Sequence, residues 1–125
     1  MKQKGSAAER ELVTMFWGSS YGAIRAAGSG VQRFYSPDVL ASNGSRIIAV
    51  ECKSTKYKQQ YFEREQVRQL QEFAKIFNAE AWLAVKFSTE WKFFKPEDLK
   101  ETKNNLVVKH NSEDAKTFSD ATKGC

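Results

Sequence analysis

At 125 residues, with 41% hydrophobic and 13% aromatic content, the chain has material for one compact core and too little for two domains. Its formal charge of +5 favours an anionic partner, and residues 1–68 hold the whole surplus, 11 Lys/Arg against 6 Asp/Glu, whereas residues 69–125 hold nine of each sign. No apolar run approaches the ~20 residues of a membrane span, and two cysteines and one histidine exclude a disulfide framework or a zinc cluster.

Along the chain the pattern reads α-β-β-β-α-β-β. The first helix is expected from Ser6, where Ser6-x-x-Glu9 has the spacing of a capping box, to near Gly18, with Ala8, Leu12, Met15 and Phe16 on one apolar face. The Met1-Lys2-Gln3-Lys4-Gly5 start lacks the apolar stretch of a signal peptide, so a cytoplasmic location with no membrane contact is expected. Strands follow at about residues 23–27, 38–42 and 46–53, separated by glycine-rich and Asn-Gly turns. Gly28-Ser29-Gly30 is too short for a phosphate-cradling loop and lacks a Gly-Lys-Ser/Thr ending, so no nucleotide cofactor is implied.

Residues 53–61 interleave Lys56 and Lys58 with Tyr57 and Tyr61 and read as a polar loop, either suited to phosphate contact with stacking or simply solvated. A second helix is expected from about Glu63 to Phe77, with Val67, Leu70, Ala74 and Phe77 as its apolar stripe and Gln66 off it. A strand at residues 81–87 and its hairpin partner at 91–94 carry Trp82, Trp91, Phe93 and Phe94, mostly as core. Part of this aromatic set is expected to form an apolar patch that closes a homodimer. A short strand is possible at residues 106–108, and His110 is expected at the solvated surface. The polar residues 111–125 read as a flexible tail or a helix that docks on a partner, which leaves residues 1–110 as the domain proper.

The chemistry concentrates in Pro37-Asp38 and Glu51-Cys52-Lys53. The turn signal Asn43-Gly44-Ser45 lies between them, so the two strands fold back as a hairpin and bring the carboxylates together. Alternation along a strand sends Glu51 and Lys53 to one face and Val50 and Cys52 to the other, where they serve as core. Two carboxylates and a lysine suit metal-assisted phosphodiester hydrolysis. Asp38 and Glu51 would ligate a hard divalent cation with help from the Cys52 carbonyl, while Lys53 would hold the attacking water or neutralise developing charge. An isolated Asp…Glu-x-Lys string also occurs by chance, as a turn aspartate and a salt-bridged pair on a strand, so the context matters.

That context is the ordered series Ala8-Glu9-Arg10-Glu11-Leu12, Arg25-Ala26-Ala27-Gly28-Ser29-Gly30, Pro37-Asp38-Val39 and Val50-Glu51-Cys52-Lys53-Ser54. Over roughly residues 4–95 the chain resembles the archaeal-type Holliday junction resolvases, a branch of the PD-(D/E)xK nuclease superfamily. The resemblance implies an α/β fold, a single domain with a central mixed β-sheet flanked by helices in the restriction-endonuclease-like manner. It implies a metal and catalytic set of Glu9, Asp38 and Glu51 with Lys53 and Ser29, and DNA-backbone contacts from Arg10, Arg25 and Ser29. Lys4, Lys56 and Lys58 add positive charge for DNA binding. Mg²⁺, with Mn²⁺ able to substitute, would be the cofactor. A homodimer would cut four-way junction DNA by paired symmetric nicks. The stretch Val31-Gln32-Arg33-Phe34-Tyr35-Ser36 departs from the family, and no role is carried onto it. Two rivals remain open: a nuclease of the same superfamily acting on flaps, nicks or other branched DNA, and a non-catalytic DNA-binding protein of the same fold.

Overall fold

The longest unbroken buried run of any strand lies in β3, Ile47–Thr55, in which Ile48 to Cys52 are all buried. In this computed structural model, which describes residues 3–26 and 33–123 with side chains from Ala7 onward, β3 is the centre of a five-stranded sheet. Its other strands are β1 (Gly22–Arg25), β2 (Val39–Ser42), β5 (Glu80–Phe87) and β6 (Glu90–Phe94), in the order β1-β2-β3-β5-β6. Only the β3–β5 pairing is parallel, so the sheet is mixed, as the resemblance implies. A parallel pair needs a crossover, and here it is made by β4 (Gln59–Glu63) followed by α2 (Arg64–Phe77).

The pleat of β3 divides the core. Ile48, Val50 and Cys52 pack with Ala8, Leu12 and Phe16 of α1 (Gln3–Trp17), together with Trp82, Trp91 and Phe93. On the other face Ala49 joins Val67 and Leu70 of α2 with Phe62, Leu83, Val85 and Phe94. Full burial of each large apolar side chain contributes roughly 1.5–3 kcal/mol. The aromatics of the β5–β6 hairpin are therefore spent on the interior: Trp82, Trp91, Phe93 and Phe94 are all buried, and they do not form the expected dimer patch. The apolar surface lies elsewhere, in a groove lined by Ile24, Leu40, Ile47 and Phe77, with Ile24 65% and Phe77 45% exposed.

The β2–β3 hairpin turns as its sequence suggests. Gly44 adopts φ 96°, and the Asn43 Oδ1 accepts hydrogen bonds from the backbone N–H groups of Ser45 (2.8 Å) and Arg46 (2.7 Å). At the end of α2, Asn78 takes the left-handed conformation that closes helices.

Three further expectations need correction. The first helix begins at Gln3, not Ser6, so Ser6 lies inside it and Glu9 closes no capping box; its carboxylate pairs with Arg25 instead. Part of the expected polar loop is β4, which pairs with β8 (Asn105–Lys109); β8 also pairs with the two-residue β7 (Lys100–Glu101) in a second, three-stranded sheet. Only Phe62 of β4 is buried, so the strand carries no hydrophobic run that could announce it. The segment expected as a flexible tail or a helix that docks on a partner contains α3 (Phe118–Lys123), which docks on this chain itself and is preceded by a bridge between Phe93 and Lys116. Ala121 is buried, and Arg46 donates to the carbonyls of Thr122 (2.7 Å) and Ala121 (2.9 Å) while its fork holds Glu80. The segment is docked both by side chains, with the Phe118 ring against Phe16 and Phe93 and Ala121 in the core, and by backbone carbonyls. The Cys125 thiol lies outside the described residues.

Candidate active site

Register builds the site. Val39 faces Val50 across the β2–β3 pair, so one step further along the hairpin Asp38 stands opposite Glu51. The Ala26 N–H donates to the Asp38 carbonyl at 3.1 Å, which extends the β1–β2 pairing and fixes the Asp38 backbone. The Asp38 Oδ2 then accepts a hydrogen bond from the Cys52 backbone N–H at 2.9 Å. It is thus the amide of Cys52 that engages this carboxylate.

Glu51 is 3% exposed, the one charged residue in the core of the described chain. Burial pushes its carboxyl up to about 9, helped by the adjacent Asp38 charge; Tyr35 and Gln66, which approach the same carboxylate, pull the other way. Lys53 emerges on the same side of β3, and its Nζ lies 5.5 Å from the centre of the buried Phe62 ring, a contact that holds its stem. Beside it an open cleft is lined by Lys53, Tyr61, Glu63, Gln66 and Gln69.

Glu9 approaches from α1 on the opposite side of Asp38. A carboxylate oxygen of Glu9, one of Asp38 and the Cys52 Sγ all lie within 4.8 Å of one another. Burial and the Asp38 charge raise the Glu9 carboxyl above its ordinary value, against the lowering effect of Arg25. The Cys52 thiol belongs to the core, as expected, and is raised by burial and then by Asp38 and Glu9.

The structure therefore brings Glu9, Asp38, Glu51 and Lys53 together. Arg25 joins them through Glu9, Arg10 is exposed on α1 near that carboxylate, and Lys56 and Lys58 are exposed in the turn beyond the end of β3 that carries Lys53. Ser29 and the Lys4 side chain lie outside the described residues. His110, expected at the solvated surface, is half-buried; its Nε2 lies 2.7 Å from Glu90, and its ring packs edge-on against Phe87. Sequence reasoning assigned nothing to Tyr35, because a tyrosine in a variable loop two residues before Pro37 carries no pattern. Gln66 reads in the sequence either as a solvated residue off the apolar stripe of α2 or, by the superfamily resemblance, as a helix-borne polar group beside the active lysine; here it lines the cleft that Lys53 lines.

Chemically this donor set fits a hard divalent cation. Glu9 and Glu51 both stand near Asp38 and are both raised by burial and by the Asp38 charge, and gathering three carboxylates is costly unless a cation or protons intervene.

Comparison with known proteins gives the same direction. A family model described as "Archaeal holliday junction resolvase (hjc)" matches residues 1–125. The chain is 40% identical over 109 residues to the crossover junction endodeoxyribonuclease Hjc of Archaeoglobus fulgidus, covering 86% of this chain and 80% of that protein. It is 33% identical to the Methanocaldococcus jannaschii enzyme of the same name, over 85% of this chain and 76% of that one. The solved structure of Archaeoglobus fulgidus Hjc, a Holliday junction resolvase, superimposes with a TM-score of 0.76 at 38% identity, covering 81% of this chain and 84% of that one. A bacterial homing endonuclease shares the fold at 11% identity and a TM-score of 0.55, over 94% of this chain and 80% of that one.

Proposed function

The chain belongs to the archaeal Holliday junction resolvase family, and from that premise we propose that it is a metal-dependent, structure-specific DNA endonuclease that resolves four-way junctions by paired symmetric nicks. The observation that carries the proposal is the buried Glu51 opposite Asp38 with Lys53 beside it. A protein that only bound DNA would gain nothing from buried acidic groups next to a polyanion.

Asp38, Glu51 and Glu9 would hold a divalent cation, Mg²⁺ or in its place Mn²⁺. The bound cation would supply Lewis acidity to a phosphate oxygen and acidify water. Lys53, fixed over Phe62, donates from Nζ to the attacking water or to a non-bridging phosphate oxygen and offsets charge that grows in the transition state. Asp38 is held in register by the Cys52 N–H, and Glu9 by Arg25. In the overall reaction a water oxygen forms one bond to phosphorus and one phosphoester bond breaks; of the water's two protons, the equivalent of one ends on the leaving oxygen as a hydroxyl and the other on the new phosphomonoester or in solvent.

Exposed Arg10, Lys56 and Lys58 suit contact with the DNA backbone. Junction geometry would be recognised through phosphate positions and branch angles. Two symmetry-related cuts call for two sites, so the working form would be an isologous dimer, for which the groove of Ile24, Leu40, Ile47 and Phe77 supplies an apolar face. Among the described residues no helix is long and apolar enough to cross a membrane, and action on DNA fits the cytoplasm.

The deciding experiment is cleavage of a mobile four-way junction beside matched duplex, flap and nicked DNA, with and without Mg²⁺. Preferential, Mg²⁺-dependent paired nicking of the junction supports the proposal. Preference for flaps or nicks moves the substrate within the superfamily, and binding without scission defeats the enzyme reading.

A further inference from the structure

Tyr35 sits on the segment that leads into β2, with its ring packed edge-on against Phe73 of α2 at 6.0 Å between centroids. Among the described residues, its hydroxyl is the buried side-chain oxygen or nitrogen left without a hydrogen-bond partner. The hydroxyl lies against the Glu51 carboxylate and near Asp38, yet makes no hydrogen bond of normal geometry to either. An orphaned buried hydroxyl is a cost that folded proteins rarely retain without a use. Here the ring alone would fill the space, and phenylalanine would do so with no orphan.

We infer that the Tyr35 hydroxyl is a positioning group for Glu51: it donates to one carboxylate oxygen when Glu51 turns the other toward a bound divalent cation. This inference rests on the metal-dependent reading of the site. A carboxylate has about four lone-pair sites, so an oxygen committed to a cation leaves others to accept the phenolic O–H. Outer hydrogen bonds of this kind fix the orientation of ligating groups, and their loss typically weakens metal binding about 10–100-fold. Gln66 approaches the same carboxylate from the first turn of α2, so Glu51 would be oriented from two elements at once. The rigid Phe73 contact explains why the phenol is aimed rather than floating.

The two states of the protein respond to Tyr35→Phe in opposite senses. Removing an unpaired buried oxygen while keeping the ring leaves the metal-free protein at least as stable, whereas the Mn²⁺ complex loses a hydrogen bond. The experiment titrates Mn²⁺ into wild-type and Tyr35→Phe protein without DNA, following free Mn²⁺ by electron paramagnetic resonance, and measures the thermal midpoint of both metal-free proteins. The expected result is a Mn²⁺ Kd raised about tenfold or more, with a midpoint equal to or above wild type. An unchanged Kd overturns the inference and leaves the metal reading intact. A parallel fall in midpoint and affinity also overturns it, because it assigns the hydroxyl a structural role. Failure of the wild type to bind Mn²⁺ removes the metal reading and the inference with it.

Discussion

The Arg25 guanidinium reaches from β1 to α1 and donates from both Nε (3.2 Å) and Nη2 (3.0 Å) to a single oxygen, Oε1, of Glu9. The arrangement ties the outermost strand to the helix and orients the one site carboxylate that does not come from the β2–β3 hairpin. It also changes what Arg25 is for. The resemblance implies contact with the DNA backbone, and the geometry adds the orientation of Glu9.

Arg25→Ala should therefore reduce junction cutting about 10–100-fold, the range for losing an outer partner of a ligand, although no ligand is changed. Arg25→Lys should recover part of the rate, because a point-like ammonium keeps the charge but does not reproduce the fixed pair of N–H donors that the guanidinium sets on Oε1. Single-turnover cleavage at saturating protein is the measurement. Full activity in Arg25→Ala would show that Glu9 needs no such support.

Asp38→Asn, Glu51→Gln and Lys53→Ala should each lower cleavage by about 10²-fold or more while leaving junction affinity close to wild type, because these groups act on the transition state rather than on remote phosphates. Gel-shift titration beside a cleavage time course separates the two quantities. A variant that cuts normally rejects the site.

Mg²⁺ and Mn²⁺ should support cutting, and Ca²⁺ should support binding only, since Ca²⁺ tolerates looser coordination and acidifies water less. Junction affinity should fall as salt rises through release of counterions from the backbone. Affinity that is flat with salt would contradict backbone reading.

The docking of α3 is testable through Arg46. Arg46→Ala removes donors to Glu80, Thr122 and Ala121 and should cost about 2 kcal/mol, with proteolysis near residues 111–117 becoming faster. Arg46 holds the Glu80 carboxyl below its ordinary value of 4.5. A depressed acid stabilises above its unfolded value and loses that contribution as pH falls through the folded one, so the gap between wild type and variant should narrow well below pH 4.5. Urea denaturation at neutral and at acidic pH measures the gap, and a gap independent of pH would remove the ion pair from the account.

On the proposed dimer through the exposed apolar groove, Ile24→Lys should give a monomer by placing a charge in that groove, with metal binding and the thermal midpoint kept. Sedimentation gives the assembly state, and the ratio of paired cuts to single nicks on a junction should drop with it. Wild type and variant sedimenting alike would move the interface to another face.

The local patterns of this chain were enough for the bodies of both long helices, the β5–β6 hairpin and the β2–β3 hairpin that sets Asp38 opposite Glu51, because each rests on a period or a turn residue within a short stretch. Alternation along β3 separated Glu51 from Val50 and Cys52 without reference to anything distant. What tertiary structure alone decided are relationships with no local period. Tyr35 faces Glu51 because α2 packs Phe73 against its ring, and Arg25 finds Glu9 because the sheet brings β1 under α1. The aromatics of the β5–β6 hairpin are interior, not a dimer face, because α1 and α3 cover one side of the sheet and α2 the other. The mostly polar residues 111–123 dock through two apolar side chains, Phe118 and Ala121, and through backbone carbonyls that Arg46 and Tyr21 reach; two apolar residues are too few for a period, and a carbonyl is the same in every residue.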